Sequence, residues 1–425
     1  MLKPLPPNVY QLDAPPAPAT PPLDGSCRAS VAVIGGGIVG LTTALHLAEA
    51  GTDVVVLEAQ EPGWGASGNN GGQVNPGLKF DPDTVEAVWG SERGRRMVEF
   101  AWDSPNRTFA LIERLGIDCE AHRGGTLRVA RGAKARVGVE TTARQCLSRS
   151  MPVDYLDAAE TARRTGTPAY HGAMLDRRGG NLNPLAYSRG LARAAIAAGA
   201  RVHGATAATG IRRKAGGWDI ATPRGTVTAE KILIATNGFT DDLWPGLRQT
   251  IVPVYSAIAA TEPLGERARA IMAGRPSVYE SGRITVYYRI DARGRLLMGG
   301  RGPMTPIASA DAIRYLTDAA AKLWPELGAL RWTHGWNSRL AVTKDHWPHV
   351  HEPAEGLLVY LGCNGRGVAL GTALAEQLAA RLRLGSSFEL DLPIVPPKPI
   401  ALHGFWPLGV VAAVWHGRIM DRLGL

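Results

Sequence analysis

The chain has 425 residues, 45% hydrophobic and 20% charged, with 51 glycines and a formal net charge of +9. That length bounds it to two or three domains of roughly 150 residues, with a large core. The basic charge is scattered, with no Lys/Arg run and no zinc-finger spacing, which argues for a solvated basic surface and against a nucleic-acid partner. The cysteines Cys27, Cys119, Cys146 and Cys363 form no C-x-x-C pair and suggest no disulfide framework. This pattern fits a reducing, cytoplasmic setting.

Residues 1–27 are rich in proline, lack an apolar signal core and read as an extended arm. Residues 30–34 (SVAVI) form a β-branched run, LTTALHLAEAG a helix closed by Gly51, and residues 53–58 (DVVVLE) a second buried strand. Strand, glycine turn, helix and strand make a βαβ unit. Within it, Gly35 permits the tight turn, Gly37 leaves room for a pyrophosphate, and Gly40 lets the helix pack closely on the strand. The helix N-terminus that follows, with Ile38 in the turn before it, offers free N–H groups for phosphate. Glu58, with Ala59 beside it, ends the second strand, where a carboxylate can accept ribose hydroxyls.

Residues 61–78 form a long glycine-rich loop of the functional kind. Residues 91–115 read as a helix, and residues 117–160 as short strands among polar segments. A helix begins at Asn183-Pro184 and ends near Gly199, followed by strands in a βαβ-like continuation up to ILIATNG (232–238). Residues 251–302 alternate as strands, with a hairpin around Ala292-Arg293-Gly294. Residues 357–361 (LLVYL) form another buried strand, GCNGRG a second glycine turn, and VALGTALAEQLAARL a helix. The segment Phe405 to Trp415 is too short to span a bilayer. It reads as a packed helix, with a membrane-surface helix as the alternative.

Dinucleotide binding follows from the fingerprint, and FAD is favoured over NAD. ILIATNG allows close passage of an extended dinucleotide, and the helix after residues 362–367 offers its N-terminus to a polarised flavin carbonyl. No second G-x-G-x-x-G suggests an NAD(P)H domain. The fold class is therefore α/β. An FAD-binding Rossmann-like domain (28–85, 165–250 and 330–392) is joined to a mixed α+β substrate or cap domain (86–164 and 251–329), with a helical tail at 393–425.

The segments VAVIGGGIVGLTTALHLAEAG, VVVLEAQEPGWGASGNNGGQ, ILIATNG, WNSRLAVTKDHWPHV and LGCNGRGVALGT carry a resemblance. The chain resembles the D-amino-acid oxidase/glycine oxidase superfamily of FAD-dependent oxidoreductases, and within it the gamma-glutamylputrescine oxidase-like branch. The resemblance implies a glutathione-reductase-type FAD domain. It assigns the pyrophosphate to Gly35, Gly37 and Gly40, and the ribose to Glu58. Trp64, Gly65, Ala66, Ser67 and Gly68 would wrap the ribityl-phosphate, and Asn70, Gly71, Gly72 and Gln73 would lie along the flavin. Ala208 would meet adenine, Thr236, Asn237 and Gly238 would border the cofactor, and Gly365, Arg366, Gly367 and Val368 would face the ring.

Two departures matter. The segment His334 to Ser338 lacks the cysteine that attaches flavin in sarcosine-type enzymes, so the expected FAD is non-covalent. The Lys that grips a substrate carboxylate there corresponds to Ala369 here. His334, His346, His349 and His351 lack the further ligands of a metal site, and no metal is expected. Trp336, His346, Tyr287 and Tyr288 are the candidates for the substrate side.

The implied reaction is oxidation of a C–N bond in an amine of the gamma-glutamylputrescine type or a related amino acid. Hydride passes to flavin N5, the imine hydrolyses to an aldehyde, and O2 reoxidises the flavin to give H2O2. A dehydrogenase using a quinone or protein acceptor, with the C-terminal helix touching a membrane, is one alternative. A non-catalytic flavin-binding subunit is another.

Overall fold

The computed structural model describes residues 3–282 and 285–422. Strand β1 (Cys27–Ile34) is followed by helix α1 (Ile38–Glu49) and strand β2 (Val54–Leu57). Both strands pair in parallel. Their β-branched runs are buried on both faces, as helices and a second layer cover the sheet. Helix α2 (Pro184–Ala197) begins where predicted, with the Asn183 side chain accepting from Ala186 N–H and Pro184 in the first turn. It packs beside α1.

The continuation is not a second βαβ crossover. Residues 210–214 and 217–222 form an antiparallel meander with strand β3 (Gly225–Ile234), which runs parallel to β1 from Val227 to Ile234. Strand β3 also pairs in parallel with the later strand Leu357–Leu361. Tight turns after Lys214 and Thr222 permit only antiparallel neighbours.

The second sheet has eight strands. Towards one edge, strand β4 (Ile251–Pro263) pairs antiparallel with strand β5 (Arg295–Arg301) and with the edge strand β6 (Trp332–Thr343). The hairpin forms with Ile290 opposite Leu296, and Asp291 Oδ1 accepts from the N–H groups of Arg293 and Arg295. Two predicted boundaries differ from the strand order. Residues 173–176 and the whole of β6 belong to this second sheet, although segments 165–250 and 330–392 were assigned to the dinucleotide domain.

Two further expectations are corrected, and the N-terminal arm gains a place in the fold. Residues 117–160 contain a 15-residue helix, Ala133–Leu147, beside the strands 126–129 and 153–156. Its buried stripe is only Val139, Thr142, Ala143 and Cys146, too narrow and too β-branched for a clear helical signal. The extended N-terminal arm is docked on the fold. Val9 and Tyr10 are buried in a 3₁₀ turn against Trp336 and Leu185. The C-terminal helix α4 (Trp406–Arg422; the last strand and helix before it are β7, Leu357–Leu361, and α3, Ala369–Leu384) forms, but its large apolar side chains up to Trp415 are not buried in the core. Leu408, Val411 and Trp415 stay 63–70% exposed. Among the described residues, no helix is long and apolar enough to cross a membrane.

Candidate active site

The two sheets enclose a cavity of about 1050 Å³. Two helix N-termini open into it. Gly37, Ile38 and Val39 bring the start of α1, and Arg366, Gly367 and Val368 the start of α3. The free N–H groups there suit negative charge. The α1 turn is built for close approach. Gly35 has φ +110°, and a Cβ on Gly37 would lie 2.7 Å from Ser67 Oγ. Ile38 N–H donates to that hydroxyl at 3.0 Å.

Glu58 lies at the end of β2. Its carboxylate accepts from Gly36 N–H (2.7 Å) and Gln60 N–H (2.8 Å). Burial raises its pKa, and the backbone donors oppose the rise. Residues 205 and 206 run alongside, with Thr206 N–H donating to Glu58 O at 2.8 Å, which brings the Ala208 loop to the same end of the sheet.

The loop at 64–73 is locked by its asparagines. Asn69 Nδ2 donates to Trp64 O and Gly65 O, and Asn70 Nδ2 to Ala66 O and Ser67 O, all within 3.0 Å. Asn70 Oδ1 accepts from Gly72 N–H, where φ is +67°. Ala66, Ser67, Asn70, Gly71 and Gln73 reach the cavity wall. Gly68 packs inward, since a Cβ there would meet Gly63 O at 2.4 Å. Trp64 and Gly65 face Phe239 instead, and the Trp64 indole donates to Pro4 O.

The second glycine turn is tied to the end of β3. Asn237 (φ +44°) accepts from Gly362 N–H and donates to Cys363 Sγ at 3.2 Å. Thr236 Oγ1 bonds to Thr240 Oγ1, and Gly238 fits against the Arg339 backbone. Ala369 is buried in the core at the start of α3.

The four substrate-side candidates divide. Tyr287 and His346 line the cavity. Tyr287 bonds to Ser256 Oγ at 2.8 Å, and burial lowers the His346 pKa. Tyr288 points the other way, as alternation along a strand requires. Its hydroxyl donates to Tyr170, which donates to Glu280. Trp336 is fully buried behind the wall, donating to Asn69 O at 3.0 Å with Tyr10 against its edge. It supports the loop and does not face a ligand. His349 and His351 are turned away, to Asp345 and Val395 O.

Sequence reasoning missed three contributors. Arg289 is buried and donates to Gly71 O (2.7 Å) and Leu182 O (3.0 Å). Lys79 and Arg301 face the cavity. No motif surrounds any of them, and only the fold brings them to the site.

The glycine cradle, the buried carboxylate and the two open helix ends fit a flavin dinucleotide laid between the sheets. The chain is 34% identical over 385 residues to the probable oxidoreductase OrdL of Rhizobium meliloti, covering 90% of this chain and 89% of that one. It is 32% identical over 412 residues to the gamma-glutamylputrescine oxidoreductase of Escherichia coli, covering 95% of each. The fold superposes on glycine oxidase from Geobacillus kaustophilus with a TM-score of 0.73 at 25% identity, over 85% of this chain and 96% of that one. The FAD dependent oxidoreductase family, DAO, matches residues 30–381. The chain belongs to this family of FAD-dependent oxidoreductases.

Proposed function

We propose that the protein oxidises the C–N bond of an amine carried on an extended chain, of the gamma-glutamylputrescine type, and returns the electrons to O2. The observation that carries this reading is the cavity. It is lined by the starts of α1 and α3, by Tyr287, and by Lys79, Arg128 and Arg131. That leaves room for a long substrate beside a flavin. The likeness to gamma-glutamylputrescine oxidoreductase over 95% of both chains supports it, as does the apolar residue Ala369 at the start of α3.

FAD, when bound, supplies the acceptor for a hydride from the carbon next to the amine nitrogen. The protein's part is positioning and exclusion of water. Gly71 is held from behind by Arg289, and a Cβ there would meet the Tyr287 ring at 2.6 Å, so loop and tyrosine fix each other. Tyr287 in turn is held by Ser256.

Anaerobic flavin reduction by gamma-glutamylputrescine, putrescine, sarcosine, glycine and D-alanine at matched concentrations tests the substrate class. Reduction by gamma-glutamylputrescine is expected to be at least tenfold faster than by sarcosine or D-alanine, and the reverse order would overturn the reading. An oxygen electrode with a peroxide assay separates an oxidase from a dehydrogenase.

Cofactor attachment gives a second expected result. Acid should release intact FAD and leave a colourless polypeptide. The only cavity-lining thiol among the described residues, Cys363, accepts a hydrogen bond from Asn237. Flavin fluorescence that stays with the denatured chain would refute non-covalent binding.

Glu58→Ala should weaken FAD binding by about 1.5–3 kcal/mol, the scale of charged hydrogen bonds. Titration of the apoprotein with FAD reads this as a ten- to hundredfold rise in Kd, roughly. An unchanged Kd would remove Glu58 from the ribose.

A further inference from the structure

We propose that the C-terminal helix α4 is an interfacial anchor that seats the protein on the surface of an anionic phospholipid bilayer. The anchor is independent of the substrate and of the electron acceptor.

The helix is rooted on the fold and turns an apolar seam away from it. At its base, Ile400 N–H donates to Gln249 O at 2.9 Å, and His403 Nε2 donates to Ile251 O at 2.8 Å. Beyond that base Trp406, Val410 and Val414, each four residues apart, are half-buried. Leu408, Val411 and Trp415, at spacings of three and four, lie on the opposite side and are exposed. Leu402 and Phe405 continue the exposed patch at the base. A helix at the edge of a protein in water ordinarily turns polar side chains outward. Twelve large apolar side chains are exposed among the described residues, and these five fall within fourteen consecutive positions. Single exposed apolar residues are ordinary, whereas a contiguous patch marks an interaction surface.

The chemistry of the segment points to lipid as the occupant. Residues 399–417 contain no Asp, Glu, Lys or Arg, and Lys398 and Arg418 bound them. An apolar stretch with a cation at either end complements an acyl layer beneath anionic headgroups. Aromatic residues stand at both ends of the seam, Phe405 and Trp406 at one and Trp415 at the other. Such rings favour the headgroup level, where one edge is apolar and the other wet. The net charge of +9 adds a longer-range attraction to an anionic surface. Among the described residues, no helix is long and apolar enough to cross a membrane, so the contact is one of lying on the bilayer with the seam at the acyl boundary.

The test uses the whole chain, loaded with FAD, and vesicles of three parts phosphatidylcholine to one part phosphatidylglycerol, with phosphatidylcholine alone for comparison. In a flotation assay the protein should rise with the anionic vesicles. Its partitioning should be about tenfold stronger than to phosphatidylcholine alone and should fall as salt is raised. The double substitution Leu408→Asp with Trp415→Asp should weaken partitioning by about tenfold or more, because two charges then enter the acyl boundary. Flavin content and melting temperature should stay those of the unsubstituted protein, since neither side chain is buried. Lys398→Gln with Arg418→Gln should abolish most of the preference for the anionic vesicles and leave the weaker apolar contact. A protein that stays behind in the aqueous phase, or a double aspartate variant that floats as well as its parent, would overturn the proposal. Sedimentation equilibrium without lipid reads the competing occupant. A dimer that the aspartates dissociate, together with no vesicle binding, would assign the seam to a second copy and sink the membrane anchor.

Discussion

Gly40→Ala should yield a protein that purifies with little or no flavin and melts at a lower temperature. Gly40 sits in the first turn of α1, facing β1. A Cβ built there would lie 2.0 Å from Gly35 O and 3.1 Å from Val33 Cγ1. The first neighbour is backbone and cannot swing aside, so the helix must move off the strand. Overpacking of a core commonly destabilises by about 1–3 kcal/mol. Here the displacement also carries the Gly37 and Ile38 amides away from Ser67 and the cavity. A loss of FAD affinity of at least a hundredfold is expected, measured by titration of the apoprotein. Gly51→Ala is the control. Gly51 closes the same helix at φ +75° with nothing within 4 Å of its Cβ, so only backbone strain of about 1 kcal/mol is added. Full flavin occupancy in Gly40→Ala, or an equal loss in Gly51→Ala, would contradict this account.

The contrast shows why the first half of the site was legible in the sequence. The tight turn, the close helix and the carboxylate at the strand end are local demands. They appear as glycines and a glutamate within about 25 residues. The hairpin at residues 292–294 and the start of α2 at Asn183 were legible for the same reason. The substrate side obeys no such rule. Tyr287 and Tyr288 are neighbours of equal strand propensity. Which one faces the cavity depends on the register of their strand against β5, where Tyr287 is opposite Gly299. Trp336 lies on the same face of β6 as Ser338 and Leu340, which do line the cavity, but Asn69 and Tyr10 cover it. Lys79, Arg289 and Arg301 come from three segments, and only tertiary structure joins them.

Removing residues 1–14 should strip the protein of flavin almost as effectively as the Gly40 substitution. The sequence reads only as an extended arm because proline-rich composition reports backbone stiffness and says nothing of docking. In the fold it braces the 64–73 loop from outside. Asn8 Nδ2 donates to Asn69 Oδ1 at 2.7 Å, the Tyr10 hydroxyl to Asn70 O at 2.8 Å, and the Trp64 indole to Pro4 O at 3.0 Å. Asp13 pairs with the buried Arg295. Val9 and Tyr10 are 1% and 2% exposed, and burying each contributes about 1.5–3 kcal/mol. Without the arm, Leu185, Ile258 and Trp336 lose their cover. Tyr10→Phe separates bracing from bulk stability. It keeps the ring on Trp336 and removes only the donor to Asn70 O, a change of about 1 kcal/mol. FAD Kd should rise roughly fivefold in this variant, while the melting temperature of the apoprotein moves little. If the truncated protein retains its flavin, or Tyr10→Phe shifts the apoprotein melt without changing FAD affinity, the arm stabilises the fold alone and does not set the 64–73 loop for cofactor binding.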